Sequence, residues 1–164
     1  MSTLRPASSR DLPAILEIYN EAVRTSTATF ATRPETLRER RSWFRSHGRR
    51  HPILVAETAG RVVGWASLSS WSDRGGYLNT AEDSFYVDAD FQGQGIGHAL
   101  LQTLLKKATQ AGHQTVIARM CTESRASIHL HRRMGFRPAG TLKAVGWKFG
   151  RYLDVLTMQR LLPT

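Results

Sequence analysis

The 164-residue chain has one cysteine, Cys121, so an intramolecular disulfide and a four-cysteine zinc site are both excluded. No apolar run approaches the ~18 residues that a membrane span needs, and no membrane partner is expected. The N-terminal MSTLRPASSRD lacks the apolar stretch of a signal peptide, so the expected location is cytoplasmic. No repeat, linker or low-complexity tract divides the chain. One domain over residues 1–164 is expected, long enough to bury a core. At 41% hydrophobic and 22% charged residues, the composition is that of a globular domain.

Acidic residues are scarce as well. There are 13 Asp and Glu against 23 Lys and Arg, a formal net charge of +10, and only 4 of the basic residues are Lys. The excess is clustered. Residues 33–51 hold seven arginines against Glu35 and Glu39, and residues 119–137 hold five against Glu123. Such patches favour an anionic partner, whether nucleic acid, a membrane surface or a charged cofactor, and composition alone does not choose.

The pattern along the chain reads as an α/β domain. Thr3 to Ala7 is a short strand broken at Pro6. Ser8 and Ser9 are candidate N-caps, with Asp11 suited to the first turn. Ile15, Ile18, Tyr19, Ala22 and Val23 follow helical spacing to about Thr25. Thr36 caps a second helix with a mixed stripe of Leu37, Arg40, Arg41 and Phe44, closed at Gly48. Residues 53–58 and 61–69 form a hairpin across Ala59-Gly60, and 80–87 is a third strand. A helix from Ile96 stops at Gly112, and a strand spans residues 114–120. A helix near 125–134 ends at Gly135, and strands at 136–145 and 152–161 finish the chain.

Chemistry concentrates at Gln92-Gly93-Gln94-Gly95-Ile96-Gly97, between a strand and a helix. Glycines at alternate positions clear one edge of the turn, and the helix start offers unpaired N–H groups and its positive dipole end. That combination suits phosphate. The G-x-G-x-G spacing is not the Rossmann G-x-G-x-x-G. Gly97 is followed by His98 and Ala99, not by the Lys-Ser/Thr of a P-loop.

This hexapeptide resembles the Gln/Arg-x-x-Gly-x-Gly/Ala pyrophosphate loop of the GCN5-related N-acetyltransferases, which bind acetyl-coenzyme A. The element order is similar to that family's too. Further landmarks resemble its phosphinothricin and methionine-sulfoximine branch: Thr29-Phe30 to Pro34, Thr80 to Val87, Ala126 to His131 with Gly135-Phe136, and Val145 to Arg151 with Leu153-Asp154-Val155. The resemblance implies a GNAT fold: a central mixed, mostly antiparallel sheet of about seven strands flanked by about four helices. It also implies a homodimer.

The resemblance further implies roles for particular residues. Glu82 matches the general base that removes a proton from the acceptor amine, and partial burial would raise its pKa towards a useful range. Asp83 alternates to the other sheet face, so the two are not a paired-carboxylate site. Phe85, Tyr86 and Val87 would bind the cofactor's pantetheine arm, with a backbone N–H stabilising the oxyanion. Gln92, Gly93, Gln94, Gly95, Ile96, Gly97 and His98 would cradle the pyrophosphate. Ser124, where the family usually has Asn, and Ser127 would line the cofactor's other side. His131 matches the proton donor to the leaving thiolate. Phe30, Ser72, Asp73 and Arg74, together with Glu82, Asp83 and Ser84, would contact the acceptor, Arg74 suiting a carboxylate or phosphinate. Arg33 stands where relatives often have Glu before Pro34.

No metal is expected, because His129 and His131 at i, i+2 do not face each other on a helix. Cys121 lacks an evident base and is not expected to carry an acyl group. The expected activity is direct acetyl transfer from acetyl-CoA to the α-amino group of a small amino-acid-like acceptor: phosphinothricin, methionine sulfoximine or methionine sulfone. A second reading keeps the cofactor and changes the acceptor to a polyamine, an aminoglycoside or a protein N-terminus. A third makes the chain a nucleic-acid-binding module through the 33–51 patch. That patch has neither the interleaved aromatics of single-strand binders nor a groove-reading motif, so a nucleic-acid partner is not expected.

Overall fold

The computed structural model describes residues 2–163. Its elements run β1 (Thr3–Pro6), α1 (Leu12–Thr25), α2 (Leu37–Arg45), β2 (Ile53–Thr58), β3 (Arg61–Ser70), β4 (Thr80–Val87), α3 (Ile96–Gln110), β5 (Thr115–Cys121), α4 (Arg125–Arg133), β6 (Arg137–Lys148) and β7 (Arg151–Leu161). All seven strands form one sheet in the order β1-β2-β3-β4-β5-β7-β6. Every neighbouring pair is antiparallel except β4 and β5. The expected mixed, mostly antiparallel sheet with four helices is what the chain builds.

Strand alternation sorts the core into two layers. Leu54, Ala56, Val63, Ala81 and Phe85 pack on one face with Leu100, Leu101 and Leu104 of α3 and with α4. Ile53, Val55, Val62 and Trp65 pack on the other with Leu12, Ile15 and Ile18 of α1 and with α2. Residues 53–56 of β2 are therefore buried consecutively, as expected of a strand covered on both sides.

Local signals set most of the boundaries. Asp11 accepts from the N–H and hydroxyl of Ser8 in a capping box over a short 3-10 turn that leads into α1. Thr36 and Glu39 form a second capping box for α2. Two expectations need correction. Helix α2 stops at Arg45, with Ser46 as its cap, because the Ser46 hydroxyl takes the carbonyl of Trp43. Strand β6 runs on to Lys148 and turns through Phe149-Gly150, so β6 and β7 form one long hairpin. Register shifts fall at 138/140 and 142/146 within it.

The 33–51 basic patch is partly consumed by the fold. Arg40 is buried, bonded to Glu35 at 2.7 Å and stacked over Tyr19 and Trp43. Arg33 pairs with Glu39. Arg50 donates to the Leu78 carbonyl and to Asn79 Oδ1 at 3.0 Å each.

Candidate active site

The parallel β4–β5 pairing covers only Thr80 to Glu82 against Thr115 to Ile117. Beyond Glu82 the strands separate, although β4 continues to Val87 and β5 to Cys121. Residues 83–87 thus present a backbone edge with no strand partner on the β5 side. A cleft of about 1030 Å³ opens there, reaching from Glu17, Glu21 and Ser26–Ala28 past Asp83–Asp88 to Gly93, Gly95–His98, Ser124 and His131.

The floor of the cleft is the glycine loop. Gly93 (φ 73°) and Gly95 (φ 81°) hold left-handed backbone that a side chain disfavours, and Gly95 caps α3. The first turn of α3 holds no acidic residue, so its N–H groups and dipole are not neutralised from within. Ile96, Gly97 and His98 have no intrahelical acceptor. Gln92 donates through Nε2 to the Val87 carbonyl at 3.1 Å, tying the loop to the end of β4. Gly97 lets α3 come close to that strand, since a Cβ there would sit 3.3 Å from the Phe85 ring.

Glu82 and Asp83 stand at the vertex and point apart. Glu82 lies on the α1/α2 face, where both its oxygens accept from Arg119 of β5, Nε to Oε1 at 2.7 Å and Nη2 to Oε2 at 2.8 Å. Asp83 is buried on the α3/α4 face, 3.2 Å from Nε2 of His131. The His131 Nδ1 lies 2.8 Å from the Ser127 carbonyl, which can only accept, so this nitrogen carries a proton. Both ring nitrogens therefore face acceptors, and the pair holds a proton between Nε2 and Asp83. Burial opposes charge on the imidazole, but Asp83 and the Ser127 carbonyl outweigh it and lift His131 above the ordinary histidine range.

Other expected residues are distributed unevenly. Ser84, Phe85, Tyr86, Val87, Gln92, Gly93, Gly95 to His98, Ser124 and Ser127 all line the cleft. Gln94 bonds the Asp90 carbonyl at its edge. The Tyr86 ring packs against Tyr19 and Trp65, and burial pushes its phenol up. Phe30 is half-buried with its ring against β6, so close to Gly146 that a Cβ there would collide with it. Ser72, Asp73 and Arg74 lie in the loop after β3. The Ser72 hydroxyl accepts from the Arg74 N–H, and Asp73 and Arg74 are exposed. This loop, Phe30 and Glu82 stand outside the residues that line the cleft.

Two functional candidates were not evident from the sequence. One is Arg119, whose signals are its place in the 119–137 basic patch and a charge interrupting the apolar run Val116 to Cys121. The other is Lys148, which is buried and donates to the Ser26 and Thr29 carbonyls at 2.7 Å each. It thereby holds the loop beside the cleft to β6.

The acetyltransferase (GNAT) family model matches residues 13–136. The chain belongs to the GNAT acetyltransferase family. This acetyltransferase is 43% identical over 160 residues to the L-methionine sulfoximine/L-methionine sulfone acetyltransferase of Pseudomonas aeruginosa, covering 96% of this chain and 93% of that protein. It is 40% identical to the phosphinothricin N-acetyltransferase of Alcaligenes faecalis, covering 98% and 82%. Among solved structures, it superposes with a TM-score of 0.95 on a GNAT phosphinothricin acetyltransferase from Sinorhizobium meliloti in complex with AcCoA. That match has 39% identity and covers 98% of this chain and 88% of that one.

Proposed function

We propose that this acetyltransferase transfers acetyl from acetyl-CoA to the α-amino group of a small amino-acid-like acceptor, of the methionine sulfoximine, methionine sulfone or phosphinothricin kind. The observation that carries the proposal is the vertex of β4 and β5. There Glu82 stands where the strands part, and His131 lines the cleft that runs from that point to an unneutralised helix start. The names of the relatives support the acceptor class.

The donor's pyrophosphate fits the N–H groups of residues 93–98, and its pantetheine arm fits the unpaired edge of Phe85 to Val87, with Ser124 and Ser127 opposite. Arg125 adds positive charge at the rim. Once bound, the donor supplies an acetyl group activated as a thioester. Glu82 takes a proton from the acceptor ammonium, leaving a neutral nitrogen to form the new C–N bond. As the C–S bond breaks, His131 gives its Nε2 proton to the sulfur, and Asp83 remains a carboxylate. The acceptor nitrogen loses a second proton as the amide forms; it returns through solvent to His131, and Glu82 releases the first to solvent, so the turnover liberates one proton and resets both groups. Phe30 and the loop Ser72 to Arg74 complete the acceptor side.

Homodimerisation is part of the proposal. Strand β6 is a sheet edge, and Leu142, Val145, Trp147, Phe149 and Tyr152 of its hairpin are all more than half exposed. A cytoplasmic location is proposed on the same footing, and no nucleic-acid partner is invoked. Purified protein mixed with acetyl-CoA and a panel of amines tests the acceptor class. Thiol release with methionine sulfoximine, methionine sulfone or phosphinothricin is expected. Release with polyamines, aminoglycosides or peptides alone would overturn it.

A further inference from the structure

The Glu82–Arg119 fork sits where the proposed base has to work. Arg119 follows Ile117, the β5 partner of Glu82, by two residues, so the same alternation puts it on the acceptor face just past the point where the strands part. Its guanidinium bridges to β4, and its side chain is 51% exposed, whereas that of Glu82 is 19% exposed. The Trp71 ring lies 5.2 Å from the guanidinium carbon and fixes its plane. Glu82 takes bonds from Nε and Nη2 only. Among the described residues, Nη1 meets no acceptor, so Arg119, which lines the cleft, keeps donors available to a ligand.

A base bonded through both oxygens must exchange one of those bonds before it can meet an amine. The acceptor that makes this exchange at least cost carries its own carboxylate to Arg119 and its own cation to Glu82. An α-amino acid has these two groups on neighbouring carbon atoms. A polyamine or aminoglycoside brings cations alone, and would leave Arg119 uncompensated beside them.

We propose that Arg119 is the specificity-determining receptor for the acceptor's α-carboxylate, and that its exchange of Glu82 for that carboxylate frees the base. This rests on the acceptor class proposed above. The exchange breaks no covalent bond; the one proton that moves passes from the acceptor ammonium to Glu82.

The experiment compares wild type, Arg119→Gln and Arg119→Lys on L-methionine sulfone and on its carboxamide, each with saturating acetyl-CoA. Loss of a charge-assisted bidentate contact should raise KM for the acid about 10- to 100-fold in Arg119→Gln. The carboxamide should be affected little, so the wild-type preference for acid over amide should disappear. Arg119→Lys should recover part of the preference, and KM for acetyl-CoA should not change in either variant. A variant with wild-type KM and wild-type acid-to-amide preference overturns the role of Arg119 alone. A wild-type enzyme that acetylates only cationic amines overturns the acceptor class and this inference with it. Unaltered melting of the variants separates either result from misfolding.

Discussion

Replacing Asp83 by Asn tests how the buried pair behind β4 keeps its proton. Both side chains of the pair are 3% exposed. Removing one partner of a buried ion pair outright costs about 3–5 kcal/mol. Asparagine keeps the shape, and its amide can donate to a neutral Nε2, so the expected loss is nearer 1–3 kcal/mol. The pH dependence is more diagnostic than the size. Asp83 lifts His131 above its unfolded value. Its contribution is therefore fully present below the ordinary histidine range and is lost as pH rises through the folded value. In Asp83→Asn the Ser127 carbonyl alone opposes burial, which disfavours the charged ring, so that pH dependence should weaken. Urea unfolding of both proteins at stepped pH, from about 5 to 9 around the histidine range, reads this directly. The stability gap should be widest at the acid end and close as pH rises. A gap independent of pH would refute the ionised pair.

Glu82→Gln should lower kcat by about 10²–10⁴-fold while acetyl-CoA affinity stays near wild type, measured by steady-state kinetics and by donor titration; unchanged kcat removes Glu82 as base. Lys148→Met should leave the Ser26 and Thr29 carbonyls without their donor, costing roughly 2–4 kcal/mol and lowering Tm. It should also raise acceptor KM more than donor KM, because the loosened loop borders the cleft near Ala28. Asp11, held at about 2 by the Arg5 guanidinium and by Ser8, contributes stability present above the usual carboxylate range. That contribution, on the order of 1–2 kcal/mol with the half-exposed Arg5 discounted, should be lost as pH falls towards 2. Asp11→Asn should flatten this acid limb in a denaturation series.

How much of this was legible in the sequence depends on distance along the chain. The Ala59-Gly60 turn, the Thr36 cap and the stop at Gly112 are decided by neighbouring residues and stand where the pattern puts them. The glycine loop is equally local, and its position before α3 follows from spacing. Alternation along β4 also separates Glu82 from Asp83 correctly. What could not be read is who meets these side chains. Arg119 is 37 positions from Glu82, and His131 is 48 from Asp83. Arg40 looks like part of a mixed helical stripe. Its burial follows from Glu35 and from the rings of Tyr19, Trp43 and Trp65, which come from three elements. The Phe30 ring stacks on Gly146, 116 positions on, so its contact with β6 is likewise a product of the fold.

On the proposed function, acetyl passes to the α-nitrogen of an amino-acid acceptor at the Glu82 vertex. L-Methionine sulfoximine offers two nitrogens, the α-amino group and the sulfoximine N–H, and so allows the most direct measurement. The acceptor is labelled with ¹⁵N at the α-position, incubated with the enzyme and acetyl-CoA, and its product examined by NMR. An amide proton coupled to the labelled nitrogen is the predicted result. Acetyl on the sulfoximine nitrogen, or no product while another class of amine is consumed, would contradict the account.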